Sequence, residues 1–115
     1  MRFKDRKVII TGAAGVYGRE IAAGFAAEGA SLLLTDRALA PLEAASKDLP
    51  RDRTVLHAAN LADDGDLDRL VAAANAGGAP YVLVNNAGLY PFIPLLEVKP
   101  AEYDLMMDVN LRAPF

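Results

Sequence analysis

Val8-Ile9-Ile10-Thr11-Gly12-Ala13-Ala14-Gly15-Val16-Tyr17-Gly18 is a short apolar run that meets a glycine-rich turn and passes into a helical pattern. Its apolar residues stand on consecutive positions, as a parallel strand covered on both faces requires. From about Val16 to Glu28, Ile21, Ala22 and Phe25 share one side of a helix and leave Arg19, Glu20 and Glu28 to water. The turn therefore sits where a strand hands over to a helix N-terminus. There, main-chain N–H groups and a partial positive charge suit a pyrophosphate, provided no Cβ atoms intervene. Gly12 and Gly15 give the close approach, Ala13 and Ala14 keep the turn small, and Gly18 lets helix and strand pack tightly. The expected phosphate seat is Gly12, Ala14, Gly15, Val16, Tyr17 and Gly18.

A glycine turn acquires meaning from its surroundings, and here an acid follows at the end of the next apolar run: Asp36, 18 residues past Gly18. Its carboxylate is expected to accept hydrogen bonds from adenosine ribose hydroxyls and to repel a 2′-phosphate, which favours NAD over NADP as the cofactor. Arg37 pulls the other way, since a guanidinium can pair with a phosphate or stack on adenine. A helix-capping or surface role for Asp36 stays open beside this reading.

Outward from that core, apolar runs alternate with helical stretches. The runs Val8 to Thr11, Leu32 to Thr35, Thr54 to His57 and Tyr81 to Asn85 read as four strands. Asp64 to Ala76 is the clearest helix, with Leu67, Leu70, Val71 and Ala74 as its stripe, Asp63 as its cap and Gly77-Gly78 as its end. A further helix follows Pro41. The last starts near Pro100, with Tyr103, Met106, Met107 and Asn110 on one side. Leu89 to Lys99, with Pro91 and Pro94, reads as a loop whose Tyr90 and Phe92 offer an apolar wall to a substrate. The alternation predicts an α/β fold of Rossmann type, a doubly wound parallel sheet between two helical layers, in strand order 3-2-1-4.

The 115 residues fit one domain spanning residues 1–115, and 53% hydrophobic content fills its core. With 12 Lys and Arg against 15 Asp and Glu, the net charge of -3 draws the chain to neither nucleic acid nor an anionic membrane. The absence of cysteine excludes disulfides and thiolate metal sites. No stretch approaches the roughly 18 apolar residues of a membrane span. A cytoplasmic protein is the expectation. His57 reads as a packed or surface imidazole, and Asp63, Asp64, Asp66 and Asp68 as caps and dipole partners, so no metal is expected.

Asn85-Asn86-Ala87-Gly88 directly follows the fourth run, and in the company of the glycine turn and Asp36 it resembles the short-chain dehydrogenase/reductase family over nearly all of the chain. The resemblance implies that Asn86, Ala87 and Gly88 line the cofactor crevice and that Asn60-Leu61 lie around the adenine. Asn60 stands where the family commonly has Asp and keeps an acceptor oxygen. Asp108-Val109-Asn110-Leu111 resembles the family's next helix, whose asparagine belongs to the catalytic set; by carry-over that residue is Asn110. The family's catalytic serine and its Tyr-x-x-x-Lys motif lie beyond the position matching Phe115. The resemblance implies hydride transfer between nicotinamide and a small alcohol or ketone.

The glycine spacing departs from that of the compact members of the family. Their usual TGxxxGxG spacing would put glycine at position 16, where this chain has Val16 and carries Gly15 instead. The resulting TGxxGxxG resembles the spacing of the larger members that modify nucleotide sugars, so an epimerase or dehydratase stands as one alternative. A non-catalytic NAD-binding module stands as another. The fourth strand is expected to leave an open sheet edge through which copies of the chain associate, so a homo-oligomer is the expected assembly.

Overall fold

The computed structural model describes residues 1–115. Strands β1 (Lys7–Thr11), β2 (Ser31–Asp36), β3 (Thr54–Ala58) and β4 (Val82–Val84) form one sheet, all neighbours parallel, in the order β3-β2-β1-β4. Helices α1 (Val16–Ala27), α2 (Leu39–Ser46), α3 (Asp64–Asn75) and α4 (Pro100–Met107) connect and cover it, and α4 runs on into a π-helical turn, Asp108–Arg112. The predicted Rossmann-type order is the observed one. No helix is long and apolar enough to cross a membrane.

Consecutive apolar residues in β1 and β2 serve two cores, because successive side chains point to opposite faces. Val8, Ile10, Leu32 and Leu34 pack with Ala22 and Ala26 of α1 and Leu42 of α2. Ile9 and Leu33 pack on the other face with Ala59 and with Leu70 and Ala74 of α3. Burial of each large aliphatic side chain here contributes about 1.5–3 kcal/mol. The outer strands depart from the expected two-sided burial: Val55 in β3 and Leu83 in β4 are both more than half exposed. They lie at the sheet edges, beyond the reach of the covering helices.

Other elements also differ from the sequence expectation. The second helix begins at Leu39, ahead of Pro41, because a first turn needs no N–H from proline. Within α3, Leu70 and Ala74 are buried but Val71 is exposed, since it faces the open side of β4. α4 turns a different face inward from the one expected. Met106 and Val109 are half-buried, whereas Tyr103, Met107 and Asn110 are exposed. The loop at Leu89 to Lys99 contains a 3-10 turn, Leu95–Glu97. α3 starts as predicted, with the Asp63 carboxylate accepting the Asp66 N–H at 2.8 Å. Its end is held by more than Gly77-Gly78: the Lys7 ammonium donates to the carbonyls of Ala74, Ala76 and Gly78 at 2.9, 2.6 and 2.7 Å.

Candidate functional site

The three inner ends of the sheet, at Thr11, Asp36 and Val84, converge on the glycine turn. Gly12 has φ +63°, and a Cβ there would lie 2.9 Å from Ala87 Cα, so both conformation and space require glycine. A Cβ on Gly18 would lie 2.3 Å from the Gly12 carbonyl oxygen, so the first turn of α1 rests directly on the bend. Within the turn, the Ala13 N–H donates to Thr35 O at 3.1 Å and the Gly15 N–H to Gly12 O at 3.1 Å. The first donor inside the helix is Arg19 N–H, to Gly15 O at 3.0 Å. Gly15, as N-cap, brings no side chain to the helix start. The N–H groups of Val16, Tyr17 and Gly18 consequently have no partner in the chain. The side chains of Val16 and Tyr17 stand at the rim, 69% and 75% exposed.

Asp36 points at this turn. One carboxylate oxygen accepts the Ala14 N–H at 3.0 Å and the other accepts the Arg37 N–H at 2.8 Å. The residue thus clasps the end of β2 to the turn, a structural task the sequence reading did not assign to it. On the opposite flank Thr11 Oγ accepts the N–H groups of Asn86 and Ala87 at 3.1 and 2.9 Å. The Asn86 amide nitrogen in return donates to the carbonyls of Thr11 and Gly12 at 3.0 and 3.1 Å. Thr11 escaped the sequence reading as anything but strand. Its only signal is a hydroxyl at the last strand position before glycine.

Asn60 and Asn110 are both committed to backbone. Asn60 donates its N–H to an Asp66 oxygen at 2.7 Å, and its side-chain oxygen accepts the Ala62 N–H at 3.1 Å. The acceptor expected to face adenine is therefore engaged in its own turn. The Asn60 N–H bond, followed by the pairing with Arg69, holds the Asp66 carboxyl below the ordinary aspartate range. Asn110 makes a two-point contact with Leu89, accepting its N–H at 2.7 Å and donating to its carbonyl at 2.6 Å. Arg112 in the same π turn forks onto Asp64 with two contacts of 2.9 Å, which raises the guanidinium pKa further.

Together these elements enclose a cleft of about 620 Å³, in the size range of small-molecule sites. Gly12, Gly15, Val16, Tyr17, Asp36, Arg37, Asn60, Leu61, Asn86, Ala87 and Gly88 line it. Ala14 and Gly18 stand behind the wall, the first holding Asp36 and the second buried under the bend. Asn110 is not on the wall, but Leu89, which it grips, is. Ala59, Tyr90, Leu105 and Val109 complete the lining. Of these, sequence reading had marked only Tyr90. Phe92, marked with it, is fully exposed and outside the cleft. His57 is half-buried in β3, and no cluster of three His, Cys, Asp or Glu residues is placed to hold a metal ion.

A parallel sheet in this order, with a glycine turn opening on a cleft at its carboxyl ends, defines an α/β protein of Rossmann type. Residues 6–115 match the short chain dehydrogenase family, and the chain belongs to it. It is 33% identical to L-xylulose reductase from Bos taurus, covering 98% of this chain and 44% of that protein. Among solved structures it is similar to a metagenomic short-chain oxidoreductase in complex with NADP. The TM-score is 0.90 at 31% identity, covering 99% of this chain and 53% of the other. It is also similar to a 3-ketoacyl-(acyl-carrier-protein) reductase from Brucella melitensis complexed with NADH. There the TM-score is 0.88 at 32% identity, covering 96% and 46% respectively. The chain spans about half the length of the relatives it matches.

Proposed function

We propose that this chain supplies the dinucleotide-holding half of an NAD(P)-dependent oxidoreductase, in which hydride passes between nicotinamide and a small alcohol or ketone. The observation that carries the reading is the uncapped start of α1. The N–H groups of Val16 and Tyr17 reach no partner in the chain, and both residues stand on the wall of the cleft. Such donors, added to the helix dipole, suit a bridging pyrophosphate. Asp36, aligned by the N–H groups of Ala14 and Arg37, keeps lone pairs for the ribose hydroxyls. Its charge opposes a 2′-phosphate, and on that ground we place NAD ahead of NADP, with Arg37 as the residue that would admit the latter. Leu61 and the Asn60 turn flank the adenine side, while Asn86, Ala87 and Gly88 flank the other.

Bound there, the nicotinamide supplies the hydride acceptor or donor. The protein's own part is to seat and orient it. Asn110, the one member of the family's catalytic set in this chain, acts in this reading through the backbone of Leu89. The name of the bovine relative supports a small carbonyl or polyol as substrate. The cysteine-free composition fits a reducing cytoplasm.

Titration of the chain with NAD, NADP and ADP-ribose tests the reading. NAD and ADP-ribose are expected to saturate one site, NAD more tightly than NADP, and Asp36→Ala to narrow that preference. Absence of saturable binding would refute the reading. An unchanged NAD to NADP ratio in the variant would refute the role of Asp36.

A further inference from the structure

Tyr90 is the one aromatic side chain on the β4 side of the cleft, and it is 74% exposed there. A freely moving loop tyrosine would be unremarkable. Here, however, the preceding residue is fixed: both polar groups of the Leu89 backbone are gripped by the Asn110 amide, at 2.7 and 2.6 Å. Two residues before Tyr90, Gly88 has no side chain, and a Cβ there would come within 4.0 Å of the Tyr90 ring. The main chain leading into Tyr90 is thus held by a two-point clamp, and the ring stands beside a bare stretch of main chain. A ligand whose ribose meets Asp36 and whose phosphates meet the α1 start must extend its remaining half past Asn86 to Gly88, toward this ring. That is dictated by the order β3-β2-β1-β4, with the acid on one flank of the glycine turn and Tyr90 on the other.

We propose that Tyr90 packs against the nicotinamide riboside half of the dinucleotide and that Asn110 is the positioning residue that holds it there through Leu89. The inference rests on the dinucleotide reading above. An aromatic face suits a flat heterocycle, and suits its cationic oxidised form especially.

The test compares NAD with ADP-ribose, which lacks the nicotinamide, on the same chain. Tyr90→Ala is expected to weaken NAD on the order of tenfold, the scale of one stacking contact, and to leave ADP-ribose unchanged. Tyr90→Phe keeps the ring and should restore NAD affinity. Asn110→Ala should reproduce the selective loss, with its melting temperature recorded alongside. An unaltered ratio of the two affinities in Tyr90→Ala overturns the proposal, as does an equal loss for both ligands. Failure of the unaltered chain to bind ADP-ribose overturns the dinucleotide reading itself and this proposal with it.

Discussion

Gly18 and Gly24 lie in the same helix, and the same substitution at the two positions should have opposite signs. At Gly18 a new Cβ would be 2.3 Å from the Gly12 carbonyl oxygen and 2.7 Å from Ala13 Cα, both main-chain atoms that cannot rotate away. Reaching an ordinary contact needs a displacement of about 1 Å, and overpacking of this kind costs about 1–3 kcal/mol. The better helix propensity of alanine returns up to about 1 kcal/mol. Gly18→Ala should therefore destabilise by about 1–2 kcal/mol. At Gly24 nothing lies within 4 Å of the added Cβ, so only the propensity gain of about 0.5–1 kcal/mol remains. Unfolding entropy near 2.1 cal/mol/K per residue makes 1 kcal/mol worth about 4 °C here. Thermal melts should show Gly24→Ala rising by about 2–4 °C and Gly18→Ala falling by about 4–8 °C. The fall should come with loss of NAD binding, because the displaced atoms belong to the phosphate seat. Gly18→Ala melting at or above the parent temperature with NAD affinity intact would refute the reasoning.

Three further outcomes follow from particular contacts. Thr35 is fully buried and its hydroxyl has no partner, so Thr35→Val removes an unsatisfied polar group and should stabilise by about 1 kcal/mol, read as a higher melting temperature. Asp66 has a depressed pKa when folded, so its contribution is complete above the unfolded value near pH 4 and is lost as pH falls through the lower folded value. The Asn60 amide proton, which bonds this carboxylate, should report by NMR a midpoint below that of a free aspartate, and Asp66→Asn should abolish the transition. Leu83 is 52% exposed on β4, so Leu83→Lys should change stability by no more than about 0.5 kcal/mol and leave the melting temperature within about 2 °C of the parent. A larger fall would count against its exposed placement.

Legibility followed the physics of each signal. β1 and β2 are plain because residues buried on both faces must be apolar at successive positions, and runs this short, closed by Gly12 and Asp36, are too brief for a helix. β4 was overread by Tyr81 and Asn85, since composition records what is apolar and not where the ladder stops. The face of α4 was misread for a related reason. The half-buried side runs through Glu102, Met106 and Val109 at ordinary helical spacing, one position off the expected stripe of Tyr103, Met107 and Asn110, and the Asn110 amide is turned to the Leu89 backbone instead. The residues lining the cleft came out of the sequence because main-chain approach demands small side chains at fixed places. The clasps that hold them did not. Lys7 on three carbonyls, Thr11 under Asn86 and Asp66 behind Asn60 join positions that only the folded chain brings together.

The displaced glycine illustrates which part of a motif carries force. Gly15 has φ -76° and ψ 172°, an extended conformation open to any residue, and an added Cβ there would meet only the Gly12 oxygen at 3.3 Å. Val16 is the first helical residue, and its side chain is 69% exposed at the rim. Neither position needs glycine for its backbone. The Gly15 N–H is already engaged by the Gly12 carbonyl, and what Val16 offers is an N–H group, which every residue but proline provides. The constraint lies at Gly12, with its left-handed φ, and at Gly18, pressed against the bend. The distance between those two is the same in TGxxxGxG and TGxxGxxG. The intermediate glycine therefore says nothing about whether the substrate is a nucleotide sugar, and the reading that leaned on its position loses its support.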